Sequence, residues 1–156
     1  METTHLEEEE IGYELALRHV TNLNSLSRRA RAIRLRTLIQ EEDSNNVIYN
    51  SSSHVMDAAV NISECRKSVR ELVPLIDSAF DKYDLDFPRQ AWSRLLHFRD
   101  RLEIIDVPID SKDAHASLML EVQFALEDVE DALGVNKKGA SYNSQTGAEI
   151  FARNQR

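Results

Sequence analysis

At 156 residues and a net charge of −8, the chain has the length of one domain and can bury about 70% of the surface its unfolded form exposes, so it needs no covalent staple. Its lone cysteine, Cys65, excludes a disulfide framework within the chain and points to a reducing, cytoplasmic setting. Four glycines and three prolines leave no phosphate-cradling loop or dinucleotide fingerprint and favour a few long helices over many strands.

The charge is segregated along the chain. Residues 2–14 hold six acids and no Lys or Arg, whereas residues 18–36 hold six arginines and no acid. Acids dominate again over residues 110–131, and the stretch after Gly134 turns basic. Such blocks can select which helices lie side by side.

The first predicted helix covers residues 7–42. Its acidic start suits the positive end of the helix dipole, and Ala16, Val20, Leu23, Leu26, Ala30 and Ile33 supply a buried face. Residues 43–46 break it. The serines at 51–53 are N-cap candidates for a second helix, which carries the strongest pattern in the chain: Val55, Ala58, Ile62, Cys65, Val69, Leu72, Ile76, Ala79 and Tyr83 recur at steps of three and four. Met56, Ala59, Val73 and Phe80 flank that stripe and widen it toward an interface. Pro74 lies within it and predicts a bend.

Pro88 suits the first turn of a third helix that buries Ala91, Leu95, Phe98, Leu102 and Ile105, with Trp92 beside them. Asp110 or Ser111 caps a fourth, faced by Leu118, Val122, Ala125 and Val129 and stopped by Gly134. The expected fold is therefore all-α: an antiparallel, up-and-down four-helix bundle over residues 1–134 with a long kinked second helix. Residues 135–156 read as a flexible polar and basic tail in which Ile150 and Phe151 form a candidate partner-docking peptide. No run of about 18 apolar residues occurs, so no membrane span is expected, and residues 1–10 lack the pattern of a secretory signal.

Metal and nucleophile patterns fail in turn. The residues three before His19, His54, His97 and His115 are Ala16, Ser51, Arg94 and Lys112, so none of these four makes a helical Glu-x-x-His pair, and no zinc spacing can be written. Asp106, Asp110 and Asp113 lack the ligand series and turn glycine of a calcium loop and read as capping residues. Cys65 faces inward, and no Gly-x-Ser-x-Gly turn presents a serine. Neither cofactor nor metal is expected. Arg28, Arg29, Arg31, Arg34 and Arg36 are the candidate nucleic-acid surface, although they split between two flanks of their helix and pair more naturally with acids of another helix.

One segment carries a resemblance. Residues 88–110, with Trp92, Phe98, Arg99, Asp100, Arg101 and Leu102 followed by Val107, Pro108, Ile109 and Asp110, resemble the third-helix region of HEPN proteins, helical ribonucleases and their inactive relatives in toxin-antitoxin and defence systems. In that family an Arg followed by a polar residue precedes a His by four to six positions, and two such helices meet across a dimer. Arg99 and Asp100 match the first part. Glu103, Ile104 and Ile105 stand where the histidine belongs, and an Arg alone binds phosphate without shuttling a proton near neutral pH. The resemblance thus implies a non-catalytic member. The reading that results is a non-enzymatic helical interaction module, a homodimer or a binder of a protein partner, with Trp92, Phe98, Arg99, Val73 and Phe80 as interface candidates. RNA binding or cleavage through Arg99 and Asp100, and nucleic-acid binding through the arginine run, are the alternatives.

Overall fold

The computed structural model describes residues 1–135. They form five α-helices: α1 (Glu8–Leu17), α2 (Arg28–Asn45), α3 (Ala58–Asp81), α4 (Asp86–Glu103) and α5 (Lys112–Leu133), with 3-10 turns at Thr3–His5 and Ile109–Ser111. No strand occurs among the described residues, and none of their helices is long and apolar enough to cross a membrane. Ile150 and Phe151 lie outside the described residues.

In place of one helix over residues 7–42 there are two. Residues 18–27 turn the chain because Thr21, Asn22, Asn24, Ser25 and Ser27 offer local hydrogen bonds that compete with the helix. The Ser27 hydroxyl accepts from the Ala30 amide at 3.1 Å and starts α2. Leu26 and Ile33, expected inside, are therefore 39% and 43% exposed. The start of α3 also differs from expectation. Asp57, not a serine at 51–53, caps it, its carboxylate accepting from the amides of Ala59 at 3.1 Å and Val60 at 3.4 Å.

Within α3 the stripe Ile62, Cys65, Val69, Leu72, Ile76 and Ala79 is buried as its spacing requires, and the helix runs on past Pro74. It stops before Tyr83, which is 93% exposed and left-handed at φ 56°. His19, Asn46, Tyr83 and Gly134 each take that left-handed conformation just past a helix. The next residue's amide then reaches back to a carbonyl of the last turn: Val20 to Leu15, Val47 to Glu42, Asp84 to Ala79 and Val135 to Glu130. One termination motif thus ends four of the five helices.

Trp92 Nε1 donates to Glu130 at 3.0 Å while His115 Nε2 meets the Leu102 carbonyl at 2.8 Å, so α4 and α5 run antiparallel. Arg101, near the end of α4, reaches Asn61 at the start of α3, which makes that pair antiparallel too. The main core lies between these three helices, around Val69, Leu72, Leu95, Phe98, Leu102 and Val122. A separate small cluster of Leu6, Ile11, Leu15, Ala32 and Leu35 joins α1 to α2.

Phe98 is fully buried in the chain's own core and is no surface residue, contrary to its place among the interface candidates. Its replacement tests this directly. Phe98→Ala should lower the unfolding free energy by about 3–5 kcal/mol in urea denaturation, a cost that an interface residue would not impose on a lone chain.

Candidate functional site

The densest polar chemistry lies on the seam between α1 and α4, opposite the main core. Leu95, Phe98 and Leu102 take one side of α4 inward, and helical periodicity puts Arg94, His97 and Arg101 on another. α1 meets them with Glu9, Glu10 and Glu14. Arg94 donates three bonds to the Glu10 carboxylate at 2.7–3.1 Å. Arg101 forks onto Glu9 at 3.0 and 3.1 Å, and His97 Nδ1 lies 2.5 Å from Glu14. The backbone amide of Glu2 adds a bond to the Ser93 hydroxyl at 2.7 Å.

Arg101 is the largest of the fully buried side chains, and every part of it is matched. Its Nε donates to Asn61 at 2.7 Å, its fork takes Glu9, and its guanidinium lies 4.0 Å from the centre of the Tyr13 ring. Its Nη1 also approaches His97 Nε2 at 3.4 Å. A guanidinium can only donate, so that contact assigns the lone pair to Nε2 and the ring proton to Nδ1, where it is given to Glu14. His97 is therefore an internal link between a carboxylate and a guanidinium. It has no exposed surface while α1 is in place.

Burial opposes charge on Glu14, but its interactions with His97 and Arg18 outweigh it and hold its pKa below the ordinary 4.5. Arg18 extends the network, meeting Glu14 at 2.7 Å and Glu42 of α2 at 2.9 Å, and Tyr49 donates to Glu42 in turn. A cleft of about 290 Å³ opens beside this group, lined among others by Tyr13, Arg18, Glu42, Tyr49 and Arg101. Cys65 sits behind Asn61, and burial pushes its thiol up to about 12, against a smaller opposing pull from Arg101. It is a packing residue, not a nucleophile.

The arginine run is largely spoken for. Arg28 donates to the Leu6 carbonyl, Arg31 meets Glu8 at 2.9 Å and Arg36 meets Glu2 at 3.4 Å. Acid and base blocks read in sequence as one helix thus face each other across the α1–α2 turn. Arg29 and Arg34 are exposed. Arg99 is bound to its neighbour Asp100 at 3.0 Å, with its side chain 39% exposed, and neither residue enters the buried network. Trp92 is half-buried against the core, as are Val73 and Phe80.

A second feature lies between α3 and α5. There Val69, Val73 and Pro74 face Phe124 and Ala125 across an apolar groove of about 370 Å³, rimmed by charged residues including the Arg70–Glu121 pair at 3.2 Å. Phe124 is 60% exposed.

Sequence reasoning met Arg94 and His97 only as a failed metal pair and Arg101 only within the family resemblance, and did not join them to the acids of the first helix. The available signal was the match of two sets, acids at 9, 10 and 14 and bases at 94, 97 and 101, each on one helical face. Compared with models of known protein families, with curated proteins and with solved structures, the chain matches none.

The asymmetry of the seam can be measured. Arg101→Ala removes a buried cation together with its stack on Tyr13 and strands Asn61, and should cost about 3 kcal/mol or more. Glu9→Gln keeps a hydrogen-bond acceptor on a half-exposed side chain but leaves the buried guanidinium without its balancing charge, and should cost less than that, about 1–3 kcal/mol. Urea denaturation of the two variants gives the comparison.

Proposed function

We propose that this chain is a non-enzymatic helical interaction module that works by self-association, with a homodimer as its simplest form. The observation that supports this is the α3–α5 groove. Phe124 stands 60% exposed over Val73 and Pro74, and an apolar centre inside a charged rim is the anatomy of a protein interface. Pro74 adds to it. Without an amide hydrogen it leaves the Arg70 carbonyl with no helical donor, and we take the bend expected there as the feature that holds the groove open between α3 and α5. In the dimer a helix of the second copy would lie in this groove, giving each three-helix core the fourth member that the bundle reading calls for.

Sedimentation or light scattering at micromolar concentration is the test. The unaltered chain should run as a dimer, and Phe124→Asp should run as a folded monomer with unchanged helical circular dichroism. A strict monomer before substitution removes the reading.

A second reading is RNA binding by a non-catalytic HEPN-like protein. It draws on the exposed Arg29 and Arg34, on the partial exposure of Arg99, and on the sequence resemblance around residues 88–110. Phosphate contacts predict an affinity that falls steeply as salt rises. Binding of a single-stranded RNA should weaken in Arg29→Ala/Arg34→Ala and in Arg99→Ala, with no cleavage in any case. Flat or absent binding disposes of it.

A further inference from the structure

We propose that the N-terminal unit, residues 3–45, is a hinged cover that lifts from α4 as one piece when the carboxylates of α1 lose their charge, baring the basic face of Arg94, His97 and Arg101. The first ground is the partition of the apolar core. Leu6, Ile11, Leu15, Ala32 and Leu35 form a cluster of their own, separate from the one that binds α3, α4 and α5 together. The unit can therefore leave with its internal packing intact.

The second ground is the chemistry of the seam. Three pairs, Glu9 with Arg101, Glu10 with Arg94 and Glu14 with His97, carry the contact between α1 and α4. Tyr13 and Leu17 are the buried apolar residues of α1 outside its own cluster. A seam of this composition depends on charge. Removing the negative partner leaves Arg94 and Arg101 under cover with nothing to balance them.

The surrounding groups act in both directions. From α1 itself Arg18 faces Glu14, and through it Glu42 of α2, which Tyr49 also contacts. From α3, Asn61 and Cys65 adjoin Arg101, while Glu64, Lys67 and Glu71 line a cleft of about 410 Å³ with Glu9, Glu10 and Arg94. The carboxylates of α1 and α3 thus share one cleft, and α1 is not drawn toward α3. The pairs on α4, closed to 2.5–3.1 Å, outweigh that repulsion because Coulomb energy falls with separation and the open cleft is screened by solvent.

The sign follows from Glu14. Its pKa is held below 4.5, so its stabilisation is present above that value and is lost as pH falls through the depressed one. Acid therefore loosens the cover, and neutral pH closes it.

Native-state hydrogen exchange on the full chain, corrected for intrinsic rates, reads this directly. Between about pH 7 and about pH 3, amides of α1 and α2 should lose protection by roughly tenfold relative to those of α3–α5, a tenfold change being about 1.4 kcal/mol of opening. The variant Glu9→Gln/Glu10→Gln/Glu14→Gln should show the same selective loss at neutral pH. If that variant fails to fold, the acid series on the unaltered chain decides alone. Joint loss of protection over residues 8–133, or full protection of α1 and α2 down to the lowest pH, overturns the proposal.

Discussion

The positions of α1, α3 and α4 answer to one buried cation. Arg101 has about 1% of its surface exposed, and a guanidinium that cannot shed its proton has to be matched wherever it is placed. Its partners come from three directions: Asn61 from α3, Glu9 and Tyr13 from α1, and His97 from its own helix. Shifting α1 by one turn would leave the fork empty, and rotating α3 would strand Nε. Apolar packing alone tolerates such slips, because one greasy surface resembles another. Hydrogen-bond geometry around a planar cation does not. Arg101 thus converts a loose preference for helix-on-helix contact into a single register, though a buried ion pair is worth less in stability than in specificity.

How much of this was legible in the sequence depended on what each residue contacts. The stripe from Ile62 to Ala79 and the stops at Asp81 and Gly134 obey local rules, since periodicity and a left-handed cap are properties of the chain near them. The division of the first helix failed for the opposite reason. Val20, Leu23 and Leu26 continue a three-residue spacing through the turn, and no Gly or Pro marks it; the cluster of Thr21, Asn22, Asn24, Ser25 and Ser27 was the competing signal. Tyr83 completed a pattern whose helix had already ended. The seam was harder still. Glu9, Glu10 and Glu14 are separated from Arg94, His97 and Arg101 by more than 80 residues, and no local rule distinguishes a charge that will be buried by a distant partner from one that will face water.

The two apolar clusters and the polar seam divide labour within a small chain. α3, α4 and α5 carry most of the burial, and the N-terminal helices are added to them by charge. The charge blocks then make sense as assembly instructions. The acids before α2 meet Arg31 and Arg36 on one side and the bases of α4 on the other, so the acidic segment is held between two positive surfaces. That arrangement absorbs most of the arginine run internally. It leaves the apolar groove between α3 and α5, with Phe124 60% exposed, outside the charged seam.

The left-handed residues at three helix ends have a consequence for how the molecule can change over time. Only Gly134 occupies such a place without a side chain to strain; His19, Asn46 and Tyr83 each hold a Cβ against the following carbonyl. The chain thus carries backbone strain at its corners. Those corners are a reserve, since glycine there would let the turn relax, though with more freedom lost on folding. A protein built this way can absorb damaging changes elsewhere by easing its bends, leaving the packed interior and the charged seam untouched.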